Sequence, residues 1–367
     1  MTSRERIQRV IDHEKPDRVP TVIHARGEMQ RALMDHYAVD SFEAVEQILG
    51  AERYREVGLD ILFPGYEDKT NKVLVGDCPW SGQKLAFHDE RTFEDGWGVI
   101  RRVGRDGKYV EWIDGPLAGV EDIDEYDFPG ADRIIDNPQL PQKVSTYKQQ
   151  GLYVRAIVAN PYKQAWYLRG MENLLTDYLI NRPFIEALYD RIYNLFGEIL
   201  RRCTKAGVDM IGVEGDIAMQ DRIIMGPDSW REIDKPRLAE MIRSCKDINP
   251  DVRVFIHSDG DLRALFPDLI EIGFDVIDSI QPECMDPFEL KRLYGDRITL
   301  HGCGSLQHTL PFGTPDDCRE EVKNLIEGCG KNGGLILRPS NMIGWDIPLD
   351  NLIAWYESAR DYDLSPL

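Results

Sequence analysis

Eight short, nearly continuous apolar runs recur along this 367-residue chain, and most are followed by a stretch of helical periodicity. The runs are VPTVIH (19–24), LDILFP (59–64), LYVRAIVA (152–159), VDMIGVE (208–214), VRVFIH (252–257), FDVIDSI (274–280), ITLHG (298–302) and GLILRP (334–339). Strands of this kind suit a parallel sheet buried on both faces, because one-sided antiparallel strands alternate apolar and polar residues. The intervening segments fit crossover helices. Pro183 opens one with Ile185, Leu188, Ile192, Leu195, Ile199 and Leu200 on a single face, ending at Gly207; others run from Pro227 to about Ile248, over Leu262–Ile272 and from Pro315 to Gly328. Eight strand-then-helix units predict a (β/α)8 TIM barrel, with an open doubly wound sheet as the alternative that the same alternation allows.

Two segments stand outside that rhythm. Thr2 and Glu5 form a capping box for an N-terminal helix with Ile7, Val10 and Ile11 on one face, ending before Pro16. Residues 65–151 read as an insertion after strand two, in which VIRRV (99–103) and KYVEWI (108–113) flank the hairpin signal Arg105-Asp106-Gly107, with Trp80, Trp97 and Trp112 nearby. The insertion has too little apolar content to close a core of its own, so the expectation is one barrel domain over 1–367. Its tryptophans either cover the barrel mouth or pack against neighbouring helices, the second being the commoner role for such a residue.

In a barrel of this kind the chemistry lies at the C-terminal ends of the strands. The polar residues there are His24 and Arg26; Asn160 and Tyr162; Glu214 and Asp216; His257 and Asp259; Gln281; His301 and Cys303; and Arg338, Ser340 and Asn341. Three of the seven histidines fall on this one rim. His257 and Asp259 alternate as they leave strand five, so they can converge on one metal ion with Glu214 or Cys303 as a third ligand, a set suited to Zn2+ with an open position. Equally, Asp259 can orient His257 as a general acid/base without metal. Arg26 and Arg338 leave the first and last strands, neighbours in a closed barrel, and can clamp a carboxylate or phosphate or form structural ion pairs. Glu214 and Asp216 are candidates for acid/base work or for accepting a substrate hydroxyl. The glycine-rich GCGKNGG (328–334) follows a helix and precedes a strand, which reads as a helix end and turn and not as a phosphate loop.

Composition excludes several classes. With 44 basic and 64 acidic residues the net charge is −20, and no basic stripe offsets it, which argues against nucleic acid as a partner. No apolar run approaches membrane-spanning length, and the N-terminus lacks the apolar core of a signal peptide, so a cytoplasmic protein is expected. The seven cysteines are unpaired in spacing, without C-x-x-C, as in a reducing compartment.

Several longer stretches, among them RERIQRVIDHEKPDRVP, DGWGVIRRV, LRGMENLLTDYLINRP, FIHSDGDL and RPSNMIGWDIPLDNLIAWYE, together make the chain resemble the uroporphyrinogen decarboxylase superfamily. Within it, the similarity is closest to the methyltransferase branch that serves corrinoid-dependent demethylation. The resemblance implies a (β/α)8 barrel. It does not imply porphyrinogen decarboxylation: of the arginine-rich loop after strand one, IHARGEMQRAL keeps Arg26 and Arg31, and Pro64 and Gly65 stand near the place of the decarboxylases' aspartate. Thiol-activating members hold zinc with H-x-C and a later cysteine, whereas here His257 is followed by Asp259, and Asn341 replaces the second thiolate. The implied site is oxygen-rich, as in members that cleave methyl ethers. The expected activity is therefore demethylation of a small methoxylated aromatic, with transfer to a corrinoid on a partner protein or to tetrahydrofolate. His257, Asp259 and Glu214 would be catalytic; His24, Arg26, Tyr162, Asp216, His301, Arg338 and Asn341 would bind substrate; and His257, Asp259, Glu214 and Cys303 would hold Zn2+. A small-molecule substrate, a corrinoid protein and a second copy of the chain in a homodimer are the expected partners. The alternatives are a lyase decarboxylating a small carboxylic acid held by Arg26 and Arg338 and protonated by His257, and a non-catalytic metabolite-binding barrel.

Overall fold

The computed structural model describes residues 1–66, 85–105, 107 and 109–365. Trp80, Cys78 and the hairpin position Asp106 lie outside them.

The chain opens with helix α1 (Ser3–Ile11), whose Thr2 and Glu5 form the expected capping box. Then come α2 (Gly27–Tyr37), α3 (Phe42–Ile48) and a three-residue strand, β1 (Tyr54–Glu56). Strands β2 (Leu85–Phe87), β3 (Thr92–Asp95), β4 (Ile100–Val103) and β5 (Val110–Asp114) make a separate antiparallel sheet. After α4 (Leu140–Gln149) the regular alternation begins: β6 (Tyr153–Ala159), α5 (Pro161–Arg169), α6 (Met171–Ile180), α7 (Arg182–Lys205), β7 (Met210–Glu214), α8 (Pro227–Lys246) and β8 (Arg253–His257). It continues through α9 (Phe266–Glu271), β9 (Val276–Ile280), α10 (Pro287–Tyr294), β10 (Thr299–Gly304), α11 (Thr309–Phe312), α12 (Pro315–Leu325), β11 (Leu335–Pro339) and α13 (Leu349–Asp361).

The main sheet is parallel and sequential, β1-β6-β7-β8-β9-β10-β11. Residues 20–25 fill the eighth place: Val22 N–H donates to Leu337 O on β11 (3.1 Å), and Glu52 N–H, just before β1, donates to Thr21 O (2.7 Å). That segment closes the sheet into a TIM barrel and removes the open doubly wound alternative. It pairs only through bridges at Thr21 and Ala25, because Pro20 has no N–H to give to a ladder. The second strand is Tyr54–Glu56 and not 59–64 as the apolar run suggested. Tyr54 packs edge-on against Tyr153 of β6 inside the barrel, while the 59–64 run lies beyond the strand end, with Ile61 in an antiparallel bridge to Ile134.

Alternate residues of the barrel strands face the lumen. Tyr153, Met210, Phe255, Val276 and Ile336 form its lower layer, and Ile7, Val10 and Ile11 of α1 pack against them. Helix α1 thus plugs the N-terminal mouth, held by Arg4 to Asp209 (3.0 Å) and by Gly334 N–H to Val10 O (2.8 Å). Its amphipathic stripe explains why a helix sits there: three apolar side chains with no other face to cover are each worth roughly 1.5–3 kcal/mol when buried.

The expected hairpin is present as β4 and β5, and it belongs to a four-stranded sheet whose small core is Leu85, Phe93 and Val103. Trp112 donates its indole N–H to Tyr167 O on α5 (2.9 Å), and the Arg101 guanidinium lies 4.5 Å from the Tyr167 ring centre. Trp97 packs among Phe63, Phe128 and Phe196, so its role is to join the insertion to α7. Among the described residues no helix is long and apolar enough to cross a membrane.

Candidate active site at the barrel mouth

Register places the functional side chains. Ala159, Glu214, His257 and Asp278 are successive cross-strand partners on β6, β7, β8 and β9, so Glu214, His257 and Asp278 stand side by side at one level of the lumen. His301 of β10 and Arg338 of β11 complete the ring.

Asp278 is the hub of this layer, and it is nearly inaccessible, at 2% exposed. Its Oδ2 accepts from His257 Nδ1 at 2.6 Å and its Oδ1 from His301 Nδ1 at 2.6 Å. Arg338 Nη2 reaches both oxygens at 2.8 and 2.6 Å, and its Nε reaches Oδ1 at 3.1 Å. Burial opposes the Asp278 charge, but Arg338, His301 and His257 hold its carboxyl well below the usual carboxylate range. Burial likewise opposes a charge on His257, yet the adjacent Asp278, aided by Glu214, lifts its imidazole to about 9. His301 is pushed down from the ordinary imidazole value, chiefly by burial, with Asp278 opposing. His24 is open to the mouth but closely walled, and that desolvation, with Arg338 nearby, lowers it to about 4.

One layer above, the loops after β7 and β8 bring Asp216 and Asp259 beside His257. Ligand atoms of these three residues lie within 4.8 Å of one another. The loops can approach because residue 260 is glycine: it has φ +89°, and a Cβ there would sit 2.4 Å from Met219 O. Asp259 N–H donates to Asp216 Oδ1 (3.1 Å), Asn341 Nδ2 donates to Asp259 Oδ2, and Lys163 Nζ of α5 lies 3.5 Å from Asp216 Oδ2. Asp259 Oδ1 is buried without a partner. Burial raises the Asp259 carboxyl to about 6, with His257 opposing and Asp216 adding to the shift. An orphaned carboxylate oxygen, a second carboxylate and an imidazole whose Nδ1 is already committed, leaving Nε2, fit a divalent cation bound by oxygen and nitrogen.

The structure therefore brings Asp216, and not Glu214 or Cys303, to His257 and Asp259. Glu214 ends β7 beside His257 but is exposed to the mouth and outside the triplet. Cys303 lies in the apolar layer outside the lumen: the β9–β10 register shifts between Leu300 and Gly302, Cys303 has φ +76°, and burial holds its thiol well above the ordinary range. Tyr162 does not face the mouth either. Asn160 and Pro161 start α5 directly at the strand end, so Tyr162 turns into the helix layer, fully buried and facing Asp234 of α8. The clamp expected of Arg26 and Arg338 does not form as drawn. Arg338 turns inward to Asp278 instead of to Glu214 or Asp216, and Arg26 lies 5.9 Å from the Trp345 ring centre.

Two residues escaped the sequence reading. Asp278 sits third from the end of its apolar run, whereas the rim residues gathered from the sequence lie in the last two positions of each run or beyond it; a carboxylate at an inward alternate position of FDVIDSI was the available signal. Lys163 is one residue past Tyr162, and only its place on the first turn of α5 aims it at Asp216. Above the triplet a cleft of about 310 Å³ opens between Asp216, Met219, Asp259, Gln281, Leu306 and Asn341. A larger cleft of about 580 Å³, between the 124–131 segment and Arg191–Leu195, gathers none of these groups.

Comparison with known proteins follows the same lines. The family model described as Uroporphyrinogen decarboxylase (URO-D) matches residues 116–362. Curated uroporphyrinogen decarboxylases from Chlorobium phaeovibrioides and Chlorobium phaeobacteroides are each 23% identical, over 47% and 40% of this chain. The matches take in 48% and 39% of those proteins, so the chain spans about half or less of the curated relatives' length. Among solved structures, a methyltransferase from Methanosarcina mazei superposes over 98% of this chain and 99% of its own, with a TM-score of 0.65 and 18% identity. That likeness is one of fold.

Proposed function

The chain belongs to the uroporphyrinogen decarboxylase family, and from that premise we propose that it is a methyltransferase that demethylates a small methoxylated, aromatic substrate. The methyl group would pass to an acceptor outside this chain, a corrinoid on a partner protein or tetrahydrofolate. The observation that carries the reading is the convergence of Asp216, His257 and Asp259 at the strand ends beneath an open cleft. Breaking a methyl–oxygen bond leaves the electron pair on oxygen, so the site must stabilise an alkoxide or phenoxide as it departs.

Asp216, Asp259 and His257 Nε2 would hold a divalent ion, zinc being one that accepts this donor set, and such an ion would polarise the ether oxygen. In the ion-free site His257, charged at neutral pH, would give its Nε2 proton to that oxygen. Asn341 holds Asp259 in place, and Lys163 balances Asp216. Glu214, His24 and His301 border the same lumen, where His24 would meet substrate as a neutral imidazole.

The test is anaerobic and spectroscopic. Incubated with a cognate corrinoid protein and a panel of methoxyarenes, the enzyme should convert cob(I)alamin absorbance to that of the methylated form, and Asp259→Asn should abolish the change. No conversion across the panel, with folate as well as corrinoid acceptors, would overturn the proposal. A second reading is favoured by the relatives, which are decarboxylases by name. In it a small carboxylic acid binds at Arg338 Nη1, which has no hydrogen-bond partner among the described residues, and His257 protonates the product carbanion. That reading requires CO₂ release with no methyl acceptor present.

A further inference from the structure

We propose that Asp278 is the positioning residue of this site: its carboxylate fixes the ring of His257 through Nδ1, so that Nε2 alone faces the mouth. The proposal deepens the function proposed above and rests on His257 acting there. Asp278 cannot meet a substrate itself, being 2% exposed, level with His257 but one layer below Asp216 and Asp259, and surrounded by three donors. What it can do is hold them. His257 Nδ1 lies 2.6 Å from Oδ2, its one hydrogen-bond partner among the described residues. Because Asp278 is in turn gripped by the Nε and Nη2 edge of Arg338 and by His301 Nδ1, the carboxylate has no freedom to rotate, and neither has the ring that it holds. Three strands, β9, β10 and β11, thereby fix the orientation of a side chain on a fourth, β8.

Carboxylate partners behind a metal-binding histidine are worth roughly 10–100-fold in metal affinity when removed. The experiment compares the wild type with Asp278→Asn and with Asp278→Asn combined with Arg338→Met; the second variant leaves no uncompensated buried charge if the first fails to fold. Zn2+ affinity is measured by competition with a chromophoric chelator, and the protonation of each His257 ring nitrogen by 15N NMR. The expected result is a wild type that keeps its low-field Nδ1 proton as Zn2+ binds. Both variants should bind about 10–100-fold more weakly and lose that proton signal. A folded double variant that binds Zn2+ as tightly as the wild type and retains the Nδ1 proton would overturn the proposal. If the wild type itself binds no Zn2+, the metal part of the proposed function fails, and the ring nitrogens still decide: loss of the Nδ1 signal in the folded double variant supports positioning by Asp278, and its persistence refutes it.

Discussion

Replacing Asp234 by asparagine should make the protein relatively more stable as pH rises, and the structure sets the size of the effect. Asp234 lies on α8, fully buried, and its two oxygens accept from Tyr178 Oη and Tyr193 Oη, each at 3.1 Å. Tyr178 is itself bonded to Tyr189 at 2.6 Å, while the nearest cation, Arg237, is engaged with Asp190 (2.7 Å). Hydroxyl donors alone do not repay desolvation, so burial pushes the carboxyl up to about 7 against an ordinary value of 3.8. The folded state therefore binds the proton more tightly than the unfolded state. Stability from this group is fully present below the unfolded value and is lost progressively as pH rises towards 7. At 1.36 kcal/mol per pH unit, the loss between pH 5 and pH 8 integrates to about 2.5 kcal/mol. Asp234→Asn has no such dependence, and the other titrating groups cancel in the comparison. Urea unfolding of both proteins at pH 5, 6, 7 and 8 should show the stability difference moving in favour of the variant by about 2.5 kcal/mol across the series. A difference that stays constant with pH would refute the argument.

Other perturbations read different parts of the molecule. Arg338→Met leaves Asp278 buried without its main counter-ion and should cost about 3–5 kcal/mol in chemical denaturation, most of it recovered when Asp278→Asn is added. Lys163→Met removes the ammonium beside Asp216 and should raise apparent Zn2+ affinity about tenfold, near 1.4 kcal/mol; an unchanged or weaker affinity would show that the lysine does not compete for the cation position. Gly260→Ala forces a Cβ onto Met219 O at a positive φ, so calorimetry should record a loss of about 1–3 kcal/mol and chelator competition a weakened metal site. Ile7→Ala opens the plug at the lower end of the barrel and should cost about 2–5 kcal/mol with catalysis retained at temperatures where the variant stays folded.

The fold was legible where burial on both faces leaves an apolar run, as in β6 to β11, and it failed where a strand is short or mixed. Tyr54–Glu56 carries two charged residues in three, because only Tyr54 needs to pack inward, against Tyr153; a longer apolar run next door drew the assignment to 59–64. The mouth was legible for His257, Asp259 and Asp216 because the strand-end rule depends only on where each run stops. It misplaced Tyr162 and Cys303, since one residue of helix start or one shifted register decides which way a side chain turns: Asn160-Pro161 is a helix-start signal that turns Tyr162 into the helix layer, whereas the shift before Cys303 leaves no mark in the sequence. Asp278 was missed for a related reason: a carboxylate inside an apolar strand is tolerable only with buried partners, and those partners lie on three other strands.

The pairing of charges in the lumen also bears on which substrate the site can take. Arg155 is matched by Glu56, Lys163 by Asp216, and Arg338 by Asp278, which His257 and His301 share. His24 is neutral, and among the described residues Glu214 and Asp259 form no ion pair with an arginine or lysine, although Arg155 bears on Glu214 and Lys163 and Arg338 on Asp259 at longer range. A substrate carboxylate entering this mouth would lose its hydration and meet cations that are already matched, the Arg338 guanidinium and the His257 imidazolium by Asp278 and the Lys163 ammonium by Asp216, a poor exchange for a full charge. A neutral ether gives up far less water, and it needs the site only as negative charge develops on its oxygen, where Asp216, His257 and Asp259 converge. The same pairing that undoes the Arg26–Arg338 clamp therefore favours methyl transfer from an uncharged donor over decarboxylation. Among methoxyarenes it ranks neutral compounds above their carboxylated analogues: kcat/KM should be higher for the neutral member of each pair, and the opposite order would restore the anion-binding reading.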